Sequence, residues 1–209
     1  MELNEKGLPF FPELRFEDKR HIYTLGGQIL PSVTTVMKPL DEALYRGIDE
    51  SVMQMAAERG TAIHNAAENF ALYGIEDIEP RYEGYFEAFL KFWEEQSPEP
   101  LATESRVYHK FLRYAGTADL PCVIDGKKVL IDYKTSATVN RMLTGVQLEA
   151  YARAYESHGF RFDEKAIVHL KSDGSYQMVR YKANDIESWQ VFSSCLLYTS
   201  DAADDRISV

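Results

Sequence analysis

The alternation of apolar and polar positions changes period several times along the chain, and each change marks an element. RFEDKRHIYTL, the pair Gly26-Gly27 and QIL read as a first hairpin over residues 15–30. After Pro31-Ser32, the run SVTTVMKPL reads as a capped helical turn ended by Pro39. Residues 41–73 are helix-forming, with interruptions around Gly47 and Gly60, and in the second part Gly60, His64, Ala67 and Ala71 recur on one face. GIEDIEPR (74–81) is an acidic loop. Tyr82 to Gln96 is an aromatic-rich helix, with Tyr85, Phe89 and Phe92 on its packed side and Trp93 beside them. Ser97-Pro98-Glu99-Pro100 is a breaker, and LATESRVYHKF (101–111) reads as a strand. Residues 139–157 form a helix, Glu164–Leu170 and Tyr176–Tyr181 pair around Ser172-Asp173-Gly174, and Asp185 starts a last helix carrying Trp189. There is no internal repeat. This order predicts an α/β domain with a mixed sheet and helices on its faces.

The stretch from Gly116 to Ser136, GTADLPCVIDGKKVLIDYKTS, carries the candidate chemistry. TADLPCVI and KKVLIDYKT are strand-like, and Asp125-Gly126 between them is a two-residue hairpin signal. Ile124 then faces Lys127, and the same count sets Asp119 across from Asp132 and Thr117 across from Lys134. Opposed positions hold their Cβ atoms about 4.5–5.5 Å apart, where like charges are destabilising. Asp132 and Lys134 share one strand face while Tyr133 points to the other. A divalent cation between the two carboxylates removes the repulsion, and Mg²⁺ is bound by one or two carboxylates with several waters.

Charge sharpens this picture. The 209 residues carry a net charge of −10, which by itself argues against a nucleic-acid partner. Its distribution is uneven: residues 1–103 hold 9 basic and 19 acidic side chains, and residues 104–183 hold 13 basic and 9 acidic. The hairpin lies in the basic segment, as a polyanion-handling site requires, though chance segregation accounts for the same pattern. No apolar run reaches the roughly 20 residues of a membrane span, and MELNEKGLPFF lacks the order of a signal peptide. Two distant cysteines, Cys122 and Cys195, support neither a disulfide framework nor a zinc site nor a four-cysteine iron–sulfur cluster. The expectation is a cytosolic, cytoplasmic protein of one domain.

Other residues stay open on their own chemistry. His64, with Glu68 one turn on as a pairing partner, reads as a hydrogen-bonded core histidine or as a metal ligand. Glu104 is a further candidate carboxylate, but its register against Asp119 cannot be counted, and an exposed strand glutamate is the preferred reading. Gln147 and Tyr151 lie one turn apart on the 139–157 helix, a pattern that helix packing explains.

Together these residues resemble the PD-(D/E)XK nucleases, in particular the RecB-like and phage-exonuclease branch. The branch places an aspartate on one strand and Asp/Glu-x-Lys on the next, matched by Asp119 and Asp132-Tyr133-Lys134. Its helical histidine is matched by Arg59-Gly60-Thr61-Ala62-Ile63-His64, its Gly-x-x-Asp by Gly116-Thr117-Ala118-Asp119, and its Gln-x-x-x-Tyr by Gln147 to Tyr151. The resemblance covers roughly residues 55–183. The N-terminal hairpin followed by Pro-Ser-Val-Thr-Thr is similar to phage members. It implies a restriction-endonuclease-like mixed central sheet flanked by helices, with an N-terminal hairpin and helical extension. It also implies that Asp119 and Asp132 bind Mg²⁺ or Mn²⁺, with His64 as an additional ligand. Lys134 would orient or help deprotonate the attacking water and stabilise phosphate charge, and Gln147 and Tyr151 would contact DNA or support the site. Related CRISPR-associated nucleases carry four cluster cysteines, which this chain lacks.

The implied function is metal-dependent hydrolysis of DNA phosphodiesters, by an exonuclease of phage or bacterial recombination or repair, with a recombination or single-strand annealing protein as partner. One rival is a catalytically inactive relative that binds DNA ends or a partner protein. Another is a carboxylate-metal enzyme acting on a small phosphorylated substrate. The segment CLLYTSDAADD (195–205) resembles a translated sequencing-library adaptor. On that reading the domain spans residues 1–194, and residues 195–209 are a non-native tail.

Overall fold

The computed structural model describes the backbone of residues 2–204 and the side chains of residues 2–199. The N-terminal portion contributes β1 (Glu2–Leu3), β2 (Pro9–Phe10), β3 (Leu14–Glu17), β4 (Ile22–Leu25) and β5 (Gln28–Leu30). β4 and β5 meet at Gly26-Gly27 as expected, both glycines having positive φ. The apolar run before them is not one strand: a 3-10 turn at Asp18–Arg20 splits it, so that β3 folds back on β4 with Phe16 opposite Tyr23. Helix α1 (Val33–Leu44) starts on Ser32, whose Oγ accepts from the Thr35 N–H at 3.0 Å. It does not stop at Pro39. Val33, Val36 and Met37 are buried, and their packing offsets the roughly 3 kcal/mol that an internal proline costs. Helix α2 (Glu50–Tyr73) runs unbroken through Gly60, whereas Gly47, at φ 90°, does separate α1 from α2.

Beyond α3 (Glu83–Gln96) come β6 (Glu99–Pro100), β7 (Ser105–Tyr108), β8 (Ala115–Ala118), β9 (Leu120–Ile124) and β10 (Lys127–Lys134). Helix α4 (Arg141–Glu156), β11 (Glu164–Leu170), β12 (Tyr176–Tyr181) and α5 (Ile186–Asp204) complete the chain. The central sheet has the order β12-β11-β10-β9-β6. β10 and β11 are parallel, with α4 as the crossover between them, and the other neighbours are antiparallel. This is the mixed, helix-flanked sheet expected from the element order.

Strand alternation divides the core into two layers. Val129, Ile131 and Tyr133 of β10 point to a layer shared with Phe86, Phe89 and Phe92 of α3 and Ile63 of α2. Leu130 points to the opposite layer, with Val146, Leu148 and Tyr151 of α4 and Phe192 of α5. On that side Glu149 of α4 forms an ion pair with Lys165 of β11 and a second with Arg153 at 2.8 Å. Lys165 and Glu149 are both buried, each satisfied by the other.

Candidate active site

The β9–β10 hairpin has the expected register from Ile124↔Lys127 to Leu120↔Ile131. Asp125 and Gly126 both have positive φ, at 51° and 74°, as the tight turn between twisted strands needs. One step further the ladder ends. The chain bends at Asp119, and β8 leaves the central sheet to pair with β7. Thr117 therefore does not face Lys134. It pairs with Arg106, and its Oγ1 lies 2.7 Å from the Tyr23 hydroxyl. Asp119 takes over where the ladder stops: its Oδ2 accepts the Tyr133 N–H at 2.7 Å.

Past the end of the β9 ladder, the last residues of β10 keep their strand pairing to β11, with Asp132, Tyr133 and Lys134 paired to Ile167, Val168 and His169. Asp132 and Lys134 share the face away from Tyr133, and Lys134 Nζ lies 2.6 Å from Asp132 Oδ2. Asp132 is 2% exposed and Asp119 7%. The opposite oxygen of Asp132, Oδ1, accepts from Gln147 Nε2 at 3.1 Å, and the same amide reaches the Tyr151 hydroxyl at 3.2 Å. Tyr151 is buried, so it supports the site rather than offering a free surface. Its ring explains Gly116, because a Cβ there would meet Tyr151 Cε1 at 2.4 Å.

His64 enters from α2. Its Nε2 lies 3.2 Å from the Tyr133 carbonyl, and its Nδ1 lies 3.5 Å from Asp119 Oδ1 and 3.7 Å from Glu104 Oε1. The Tyr133 carbonyl can only accept, so Nε2–H donates to it, and Nδ1 is the atom facing the carboxylates. Glu68 does not pair with His64 among the described residues; burial, and then the charge of Glu104, raise its carboxyl pKa. Glu104 is not an exposed strand glutamate. It precedes β7 at φ 43°, and its N–H donates to the Asp119 carbonyl at 2.9 Å, which turns its carboxylate toward His64.

These groups strongly perturb one another. Burial, and then the charge of Asp132, push the Asp119 carboxyl up to about 7. Burial opposes charge on His64, but Asp119, Glu104 and Asp132 outweigh it and raise the imidazole to about 9. Burial also opposes the Lys134 ammonium, yet Asp132 and Asp119 raise its pKa, with a further contribution from Asp41 of α1. Lys134 is thus a cation at neutral pH.

The donor set suits a divalent cation. His64, Glu104 and Asp119 each present a ligand atom, all within 4.8 Å of one another. Octahedral bonds of about 2.1 Å separate ligands by about 3 to 4 Å, and the His64–Asp119 and His64–Glu104 separations of 3.5 and 3.7 Å fall in that range. Asp132 stands outside that trio because its Oδ2 is turned to Lys134, although that atom has no aligned hydrogen bond.

Two further residues near Lys134 lie outside the candidate site residues read from the sequence. The charge of Asp41, on α1, helps raise the Lys134 pKa, and Arg59 donates to Thr135 Oγ1 at 3.3 Å. His169, opposite Lys134, lies 2.6 Å from the Ser136 carbonyl and holds the turn after the strand.

No family model matches the sequence, and no curated protein matches it. Among solved structures, the chain is similar to an alkaline exonuclease (LHK-Exo) from Laribacter hongkongensis, at 14% identity and a TM-score of 0.43 over 75% of this chain and 96% of that one. It is similar also to LHK-Exo in complex with dAMP, at 13% identity and a TM-score of 0.42 over 86% of this chain and 90% of that one. No helix among the described residues is long and apolar enough to cross a membrane.

Proposed function

We propose that the chain is a divalent-metal-dependent DNA nuclease that hydrolyses phosphodiester bonds. In the finer reading it is an exonuclease of phage or bacterial recombination or repair, acting with a recombination or annealing protein. One observation carries the reading: a buried aspartate paired with a lysine two residues on, beside a histidine and two more carboxylates, at the open end of a sheet. His64, Glu104 and Asp119 would hold Mg²⁺ or Mn²⁺, and Asp132 Oδ2 would join them. The imidazole moves the preference somewhat toward Mn²⁺. The bound ion supplies a Lewis acid for the phosphoryl oxygen and lowers the pKa of a bound water.

The chain's own residues do the rest. Lys134, charged and held by Asp132, would stabilise the negative charge that grows on the phosphate as the water oxygen bonds to phosphorus and gives up its proton to solvent, and the ester oxygen leaves and takes a proton from solvent. Gln147 fixes the Asp132 carboxylate, and Tyr151 fixes Gln147. The basic balance of residues 104–183 favours a polyanionic substrate.

The test is cleavage of single- and double-stranded DNA, with free or closed ends, in Mg²⁺, in Mn²⁺ and in chelator. Lys134→Ala should lower cleavage about 10²- to 10³-fold, the usual loss of one electrostatic donor, while DNA binding survives. Equal loss of binding and cleavage would remove the transition-state role. DNA binding without cleavage under any metal would favour an inactive end-binding relative, and hydrolysis of small phosphate esters alone would point to the third class.

A further inference from the structure

A groove of about 1010 Å³ runs from the carboxylate cluster to the N-terminal hairpin, and only its His64–Glu104 end takes part in the hydrolysis described above. One wall belongs to the N-terminal hairpin. Phe16 on β3 lies against Tyr23 on β4, ring centroids 4.6 Å apart, and the exposed His21 stands edge-on to Phe16 at 5.1 Å. The Arg106 guanidinium sits 5.5 Å from the centre of the Phe16 ring. The facing wall is α2 at Gly60 and Thr61, and nothing lies within 4 Å of the place a Gly60 Cβ would take. His64 and Glu104 line the same groove, so it opens directly onto the candidate metal ligands.

Shape and charge together limit what enters. Aromatic rings on one side and a helix surface bare of side chain at Gly60 on the other leave room for a flat group. Asp18 and Glu68 also line the groove, and Arg106 is the only lysine or arginine among its described lining residues. Carboxylates there disfavour a phosphate inside the groove, so the charged part of a ligand belongs at its mouth, by the metal ligands. An uncharged planar ring attached to a phosphodiester meets both conditions. Stacking of bases on aromatic side chains, with help from arginine, is the general means of holding single-stranded nucleic acid.

We infer that this groove is a base-stacking subsite, taking an unpaired nucleobase of the strand whose phosphodiester lies at the carboxylate cluster. The exposed His21 ring supplies the stacking face, Phe16 stands at right angles behind it and holds it in place, and Arg106 meets the adjoining backbone. The inference rests on the nuclease reading and adds a substrate requirement to it: an unpaired base next to the bond that is cut.

The experiment measures binding in chelator of single-stranded thymidine 12-mers that carry 2-aminopurine or an abasic residue at either the 5′ or the 3′ end. With wild type, removing the base at one of the two ends should weaken binding at least about fivefold, and 2-aminopurine at that end should be quenched. His21→Asn tolerates the left-handed backbone at φ 51°, and Phe16→Leu keeps the apolar packing. Each should bring the base-to-abasic ratio toward one with little change in melting temperature. If Phe16→Leu fails to fold, Arg106→Gln, at an exposed position, should lower the affinity of the 12-mers in its place.

Equal binding with and without the terminal base, or a ratio unchanged in the variants, overturns the subsite while metal-dependent cleavage by wild type keeps the nuclease reading. Thymidine monophosphate binding as tightly as the 12-mers would make the groove a mononucleotide pocket and also overturn it. Neither binding nor cleavage of DNA by wild type, with metal present, removes both.

Discussion

At the scale of single residues, the two aspartates of the site are not equivalent. Asp119 gives one oxygen to a backbone N–H and aims the other at His64, whereas Asp132 is the counter-charge of Lys134. Asp119→Asn keeps an acceptor for the Tyr133 N–H and removes a charge that burial and Asp132 both oppose. Thermal melts in chelator near pH 7.5 should find it at least as stable as wild type, and a clear loss would make Asp119 a structural acceptor. Asp132→Asn leaves the Lys134 ammonium without its partner and should melt lower, by on the order of 1–3 kcal/mol. Both variants should gain less than wild type from added Mn²⁺, which stabilises a protein by binding its folded state. The pH dependence in chelator follows from the same groups. The Asp119 pKa of about 7 lies above its unfolded value near 3.9, so its stabilising effect is complete below that value and is lost as pH rises to 7. His64, at about 9 against about 6.5 unfolded, loses its own contribution between those values. Wild type should therefore melt progressively lower from pH 5 to pH 9, and Asp119→Asn should flatten the first half of that fall and, because Asp119 is the leading charge that raises His64, lessen the second half as well. A melting temperature that climbs through the window would sink the argument.

At the scale of elements, the strand β8 is held against α4 by a missing side chain. The Gly116 Cα lies close to the Tyr151 ring, and the Tyr151 hydroxyl touches Gln147, which holds Asp132. Gly116→Ala should push these elements apart, costing about 1–3 kcal/mol as overpacking does, and should loosen Asp132 as well. Denaturant midpoints read the first effect and cleavage rate the second; an unchanged midpoint would mean that the ring moves aside freely. The same stretch shows how far local sequence reached. The Asp125-Gly126 turn and strict alternation made the β9–β10 register countable, and with it the shared face of Asp132 and Lys134. The count failed at Asp119, where the chain bends and β8 pairs with the strand before it, β7, instead of continuing the β9–β10 ladder. Glu104 could be named only as a candidate carboxylate and Asp41 not at all, because each comes from a separate segment: Glu104 is turned in by a left-handed backbone residue, and Asp41 lies on the helix that continues past Pro39, where its charge acts on Lys134. Packing of Val36 and Met37 decided that continuation, and propensity alone pointed the other way.

At the scale of the whole molecule, the site depends on α4 being clamped between the sheet and the last helix. α4 carries Gln147 and Tyr151 on its site-facing side, and Glu149 ties it to Lys165 of the sheet. α5 covers that layer through Phe192, which is fully buried against Tyr114 at a ring separation of 4.8 Å. Further along α5, Cys195 and Leu196 are partly buried against the same core, while Tyr198 is 67% exposed. The part of the proposed non-native tail that falls on described residues thus begins within a packed turn of helix, and the tail's residues 205–209 lie outside the described residues. Whatever the origin of the tail, packing dictates a graded response to truncation. Removing residues 198–209 should leave the melting temperature and DNA cleavage near those of the full chain. Removing residues 195–209 takes away two partly buried side chains and should lower stability by on the order of 1 kcal/mol, with cleavage kept. Removing residues 192–209 empties the space of Phe192 and should cost about 3–5 kcal/mol, as the loss of a buried phenylalanine does. Melts of the three truncations beside the full chain decide the matter. A large loss already in the shortest truncation would show that α5 needs its distal turns, and that residues 198–209 belong to the fold on which the site is built.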